Sequence, residues 1–288
     1  MTSGHTGVLG SLEDWVRTGT VSAIGGKQLF WRQDGPADGP PITLIHGFPT
    51  SSHDWAAVLP HLTDAGFRVT MLDLLGFGSS AKPRGHRFLL TEQASLVEDL
   101  WRQLGIGTTA LVAHDYGTSV AQELLSRSPE RFTSVTFLNG GVYPDLHRPI
   151  AIQRLLRGPL GPIVGRLSSE RMFAVAMRKI MRRPVEQADI HSLWLSMSGN
   201  GGKRVQHELL HYMDERKAHE TTWVDAMESF AGPLQFIWGP EDPVSGAHVL
   251  ERIRQRIPNA RVDELAGVGH YPQIEAPHAV ALALLTFL

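Results

Sequence analysis

The chain has 288 residues, 42% of them hydrophobic, with a formal net charge of -2 and no cysteine. That length suits one large α/β domain with an insertion. The near-neutral charge gives no electrostatic case for nucleic acid, and the lack of thiols excludes disulfides, thiolate metal sites and a cysteine nucleophile.

The start, Met1 to Gly10, is polar and glycine-rich, without the basic-then-apolar order of a signal peptide. No stretch approaches the roughly 20 apolar residues of a membrane span, and a cytoplasmic location is the expectation. A short amphipathic segment, Leu12 to Val16, precedes two predicted strands, Thr20 to Ile24 and Lys27 to Gln33, turned at Gly25-Gly26. After a Gly- and Pro-rich loop, the β-branched run Ile42 to Ile45 reads as a buried strand ending in His46-Gly47-Phe48-Pro49. A helix over about Trp55 to Asp64, a strand Phe67 to Leu72 and a helix Thr91 to Leu104 follow, the last stopped by Gly105. The run Leu111 to Ala113 is another buried strand, a helix continues over Ala121 to Ser126, and Phe132 to Leu138 is a further strand before Asn139-Gly140-Gly141. Such alternation predicts a mostly parallel central sheet with helices on both faces.

From Tyr143 to about Gly232 the strand signal stops, and helical patterns are broken by Gly158-Pro159, Gly161-Pro162, Pro184 and Gly199 to Gly202. This is an inserted helical cap, residues 143–232, within a core of 1–142 and 233–288. Arg154, Arg157, Arg166, Arg171, Arg178, Lys179, Arg182 and Arg183 form a basic run along it; it reads as a solvated cap face. Alternation resumes with a strand Leu234 to Trp238, a helix Val244 to Ile257, a strand Arg261 to Leu265 and a helix to Leu288.

The stretch Ala113-His114-Asp115-Tyr116-Gly117 has small residues two positions either side of Asp115. That is the spacing of a nucleophile elbow, in which small flanks allow a sharp strand-to-helix bend that exposes the central side chain. Asp stands where a serine is usual. A carboxylate is already ionised near neutrality, so it needs no base to attack and leaves a histidine free for a later step. Elbow folds supply the nucleophile, then an acid, then a histidine, in chain order. Asp242, in Gly239-Pro240-Glu241-Asp242, and His270, in Gly269-His270-Tyr271, meet that order, with Glu241 as the rival acid. Attack on an ester or amide carbonyl would give an anhydride, so the natural target of Asp115 is an sp3 carbon bearing a leaving group. His270, oriented by Asp242, would then activate water against the resulting ester. The backbone N–H groups of Phe48 and Tyr116 are the expected oxyanion donors. His207 and His211 lack an evident third ligand, and neither metal nor other cofactor is expected.

On these motifs the chain resembles the α/β-hydrolase superfamily over nearly its whole length, in the branch of epoxide hydrolases and haloalkane dehalogenases. The segments HGFPTSSHDW from His46, GFGSSAKP from Gly76, AHDYGTSVAQELL from Ala113, NGGVYPDLHRP from Asn139 and GHYPQIEAP from Gly269 look like the mesoderm-specific transcript proteins. The resemblance implies an α/β-hydrolase fold acting on a small hydrophobic substrate and water. Epoxide hydrolases open the ring with cap tyrosines; Tyr212 matches the second of these and Tyr143 is a weak substitute for the first. Dehalogenases hold halide with N–H donors, usually a Trp beside the nucleophile; Tyr116 fills that place here, leaving Trp194 as a cap candidate. Epoxide hydrolysis is therefore the first expectation, dehalogenation the second, and a hydrolase fold that only binds a small ligand the third.

Overall fold

The computed structural model describes residues 7–288. Gly25 and Gly26, both at positive φ (53° and 77°), turn β1 (Thr20–Ile24) into β2 (Lys27–Asp34), the left-handed geometry that two-residue hairpins require. β3 (Pro41–Ile45), β4 (Arg68–Leu72), β5 (Thr109–His114), β6 (Phe132–Leu138), β7 (Leu234–Trp238) and β8 (Arg261–Glu264) complete an eight-stranded sheet ordered β1-β2-β4-β3-β5-β6-β7-β8. The β1–β2 and β2–β4 pairs are antiparallel and all the others parallel.

The inner parallel strands are apolar and buried, as strands covered on both faces must be. Trp101, Leu124 and Trp223, from the helices Leu90–Gln103, Tyr116–Arg127 and Glu220–Glu228, fill one face. Leu62, Val280 and Leu284, from Leu59–Asp64 and Pro277–Leu285, fill the other. Between these layers the chain leaves β3 for β4 on one side and comes back through β5 on the other. The strand order thus reverses between β3 and β5, and the loops at their C-terminal ends flank the crevice where open α/β sheets bind ligands.

The sequence between β6 and β7 holds only helices, from Ala151–Arg157 to Glu220–Glu228. Phe173, Met177, Ile190, Leu193 and Met197 pack together there and onto Tyr271 and Ile274. Its last helix lies against the core: Trp223 Nε1 donates to Glu123 at 2.5 Å on the helix behind the elbow. The arginines and lysine of the basic run are all exposed. No helix among the described residues is long and apolar enough to cross a membrane.

Several helix limits differ from expectation for local reasons. No helix spans Trp55 to Asp64; a short 3-10 turn, Ser52–Trp55, precedes Leu59–Asp64. Pro60 has no N–H to bond four residues back, so it opens a helix instead of continuing one. The helix expected from Val244 starts at Ala247, because Val244 N and Ser245 Oγ both donate to Asp242 (2.7 Å each). Pro277 splits the last helix into Pro272–Glu275 and Pro277–Leu285, and the helix behind the elbow begins five residues early, at Tyr116.

Candidate active site

β5 ends at His114, and Asp115 turns the chain into the next helix with φ 46° and ψ -108°. A non-glycine residue held at positive φ carries strain of about 1–3 kcal/mol, which persists only where the surroundings enforce it. Here Asp115 N donates to Asn139 O (3.1 Å), and Thr118 donates to Asp115 O through N (3.0 Å) and Oγ1 (2.6 Å). Small neighbours are obligatory. A Cβ on Gly117 would lie 2.7 Å from His46 O, and one on Gly47 would lie 2.7 Å from Asp115 Cβ.

The bend presents a buried carboxylate to the β3 loop, where Phe48 N donates to Asp115 Oδ2 at 3.0 Å. Tyr271 fixes that peptide from behind, its hydroxyl donating to Phe48 O at 2.9 Å. The other oxygen, Asp115 Oδ1, stands 3.6 Å from His270 Nε2, and His270 Nδ1 is 2.8 Å from Asp242 Oδ2. Asp242 also accepts from Asn139 Nδ2 at 3.1 Å, and Asn139 locks the β7 loop through Gly239 N (2.6 Å) and Gly239 O (2.9 Å). The rival Glu241 is exposed and faces Arg182 at 4.0 Å.

The charges follow from these contacts. Burial pushes the Asp115 carboxyl up, against the pull of His270, the Phe48 N–H, Arg216 and the Tyr116 N–H. Burial also opposes the Asp242 charge, but the His270 charge and hydrogen bonds from His270, Ser245 and Val244 win and hold it at about 2. Burial alone would lower His270; the Asp242 and Asp115 carboxylates raise it to about 9. At neutral pH His270 is therefore an imidazolium, hydrogen-bonded to the Asp242 carboxylate and 3.6 Å from Asp115.

Tyr212, buried on the cap helix Tyr212–Ala218, packs edge-on against Tyr116 with ring centroids 5.0 Å apart. Its hydroxyl has no hydrogen-bond partner, and burial together with the Asp115 charge keeps it protonated. Tyr143 is not at this site: its hydroxyl donates to Glu228 at 2.9 Å. Trp194 packs on Phe173 at 5.7 Å. Neither residue lines the largely apolar cavity formed by Ile150, Leu156, Phe173 and Met177 of the cap above Phe48 and His270. Among the described residues no group of three or more His, Asp or Glu side chains is placed to hold a metal. Asn139, His114, Tyr271 and Arg216 are the site residues that the motifs did not single out as functional.

Residues 40–161 match the alpha/beta hydrolase fold family. The protein named "Putative hydrolase LipZ" of Mycobacterium tuberculosis is 41% identical over 285 residues, covering 96% of this chain and 98% of that protein. The mesoderm-specific transcript homolog protein of Bos taurus is 38% identical over 295 residues, covering 96% and 88% respectively. In fold, the chain superposes on the solved haloalkane dehalogenase DbeA of Bradyrhizobium elkani with a TM-score of 0.80, at 23% identity over 93% of this chain and 96% of that one. With its parallel sheet, elbow and helical insertion, the chain belongs to the alpha/beta hydrolase fold family and is a hydrolase of that fold.

Proposed function

We propose that the protein hydrolyses a small hydrophobic epoxide to a diol through an ester on Asp115. The observation that supports this most is a carboxylate seated at the elbow, one oxygen on the Phe48 N–H and the other free but for His270 at 3.6 Å. Asp115 Oδ1 attacks an epoxide carbon. The ring C–O bond breaks, and its electron pair stays on the epoxide oxygen, which takes the Tyr212 hydroxyl proton. The ester carbonyl left at Oδ2 faces the Phe48 N–H, with the Tyr116 N–H as the second donor proposed for the oxyanion of the second step. With the Asp115 charge gone in the ester, His270 gives its resting proton through solvent to the Tyr212 phenolate, and the neutral imidazole takes a proton from water as the water attacks that carbonyl. Collapse of the oxyanion frees the diol and restores the Asp115 carboxylate beside the imidazolium.

Dehalogenation at the same nucleophile is the second reading, supported by the fold shared with a haloalkane dehalogenase. Against it, the indole N–H groups of Trp15, Trp31, Trp101, Trp223 and Trp238 donate to Ser52, Ser22, Thr43, Glu123 and Ser245, Trp55 has an unpartnered N–H but packs in the cluster with Ile42 and Leu62, and Trp194 packs on Phe173 outside the cavity lining. The test is the intact mass of His270→Gln after incubation with aryl and alkyl epoxides and haloalkanes, with Asp115→Asn as control. A gain equal to a whole epoxide, absent from the control, supports ring opening. A gain equal to the alkyl group without halide supports dehalogenation, and no adduct from any probe overturns the nucleophile assignment.

A further inference from the structure

Arg216 is a buried charge with no dedicated partner. It follows Tyr212 by one turn of the same cap helix, and its side chain is 2% exposed. Its Nε and Nη1 have no hydrogen-bond partner, and none of the arginine ion pairs among the described residues includes it. The guanidinium lies 5.4 Å from the Tyr212 ring centroid and reaches the loop after β6, where a Cβ on Gly141 would be 2.0 Å from Nη2. Two further groups are buried and unpartnered beside it, the Tyr212 hydroxyl and the ring nitrogens of His147. Its charge acts on Asp115, Tyr212 and His147.

A guanidinium keeps its proton in proteins, and an unpaired buried ion is costly. The acid group on which Arg216 acts is Asp115, which His270, hydrogen-bonded to Asp242, also pulls down. Alkylation makes Asp115 a neutral ester and leaves Arg216 uncompensated. A substrate that brings its own anion removes that deficit. One uncommitted cation matches one negative charge, and the planar fork of a guanidinium matches a carboxylate.

We propose that Arg216, flanked by Tyr212 and His147, is an anion subsite, and that the substrate is an apolar acid whose carboxylate pairs with Arg216 close to the carbon Asp115 attacks. The apolar cavity reaching Phe48 and His270 takes the remainder of the molecule. The substrate class rests on the reading of Asp115 as nucleophile; the subsite itself does not.

Two measurements separate them. The first involves no chemistry: binding of hexanoate and of hexanol to the whole protein, by calorimetry and melting temperature. Hexanoate should bind and raise the melting temperature where hexanol does not. Arg216→Met should weaken hexanoate by about tenfold or more, with Arg216→Lys, which keeps the charge without the fork, in between. If Arg216→Met does not fold, the comparison of Arg216→Lys with wild type decides. Equal binding of acid and alcohol, or acid binding indifferent to Arg216, overturns the subsite. The second measurement is the rate of adduct formation on His270→Gln with an oxirane carboxylate bearing a pentyl chain and with its carboxamide. Faster trapping of the acid supports the substrate class, and equal rates overturn it while leaving Asp115 as the nucleophile. Acid binding that depends on Arg216 with no adduct from either probe keeps the subsite and overturns the nucleophile.

Discussion

His114 donates through Nε2 to the carbonyl oxygen of His270 at 2.8 Å and faces the Gln273 side-chain amide through Nδ1 at 3.0 Å. The carbonyl can only accept, so the ring proton sits on Nε2 and Nδ1 takes the amide N–H. Burial, the largest influence, keeps this imidazole neutral with its pKa down at about 3. The last residue of β5 thus holds the backbone of the loop that carries His270. His114→Phe keeps a ring in that space but orphans the carbonyl and the amide. It should cost about 1–3 kcal/mol in chemical denaturation and slow ester hydrolysis more than ester formation in single-turnover experiments.

Asn139 should behave as a positioning residue for Asp242. It clasps the peptide at Gly239 and donates to Asp242 Oδ2. Asn139→Ala leaves these buried groups short of partners, a loss of about 2–3 kcal/mol. Asn139→Asp is the sharper test, because it sets a second carboxylate against Asp242 and removes a donor from it. Its activity at neutral pH should fall below that of Asn139→Ala, and rise relative to it as the pH is lowered and the added carboxylate protonates. The same ratio at every pH would show that Asn139 supports the loop only.

The parts of the site carried by short chain segments were legible in the sequence. The small flanks of Asp115 and the Gly-rich stretches before Asp242 and His270 encode their own bends, so local chemistry announces them. Asn139 was invisible as a functional group because its role depends on β6 lying between β5 and β7, which brings it to Gly239, 100 positions along the chain. The same holds for Tyr271 on Phe48 and for His114 on His270. In sequence Arg216 is one charge among several in His211-Tyr212-Met213-Asp214-Glu215-Arg216. Only packing against Gly141 distinguishes it from its exposed neighbours. Tyr143 failed for the converse reason: Glu228, on a distant helix, takes its hydroxyl.

Stability should be greatest near neutral pH and fall on both sides. Burial lowers His53 to about 4 and His114 and His147 to about 3, from 6.5. The unfolded chain therefore protonates these groups first. Their contribution is complete above pH 6.5 and is lost as the pH falls toward those values. Asp242, lowered to about 2 from 3.8 despite burial, adds a loss below pH 3.8. His270 has the opposite sign: raised to about 9, it contributes fully below pH 6.5 and loses that contribution as the pH rises through 9. Melting temperatures across this range should show both arms, and His270→Gln should flatten the alkaline arm and remove the Asp242 part of the acid one, while leaving the part set by burial of His53, His114 and His147. A variant that melts with the wild-type alkaline slope would exclude His270 as its source.

The two chemical steps should respond to pH differently. Ester formation needs Asp115 ionised; its pKa is raised from 3.8 by burial, so this step gains with pH and then levels off once the carboxylate is charged. Ester hydrolysis needs neutral His270, whose pKa of about 9 depends on the charges of Asp242 and Asp115. Esterification removes the Asp115 charge. The histidine pKa then drops, which releases the base at the stage that uses it, yet Asp242 still holds it above the value burial alone would set. Hydrolysis therefore gains with pH as the imidazole loses its proton. With any substrate that traps on His270→Gln, wild-type enzyme quenched during turnover should carry more ester at acid than at alkaline pH. Asp242→Asn should slow hydrolysis by roughly 10³-fold or more through loss of the oriented imidazole, so that its ester persists at both. Equal ester at the two pH values in the wild type would mean that His270 is not the base for the second step.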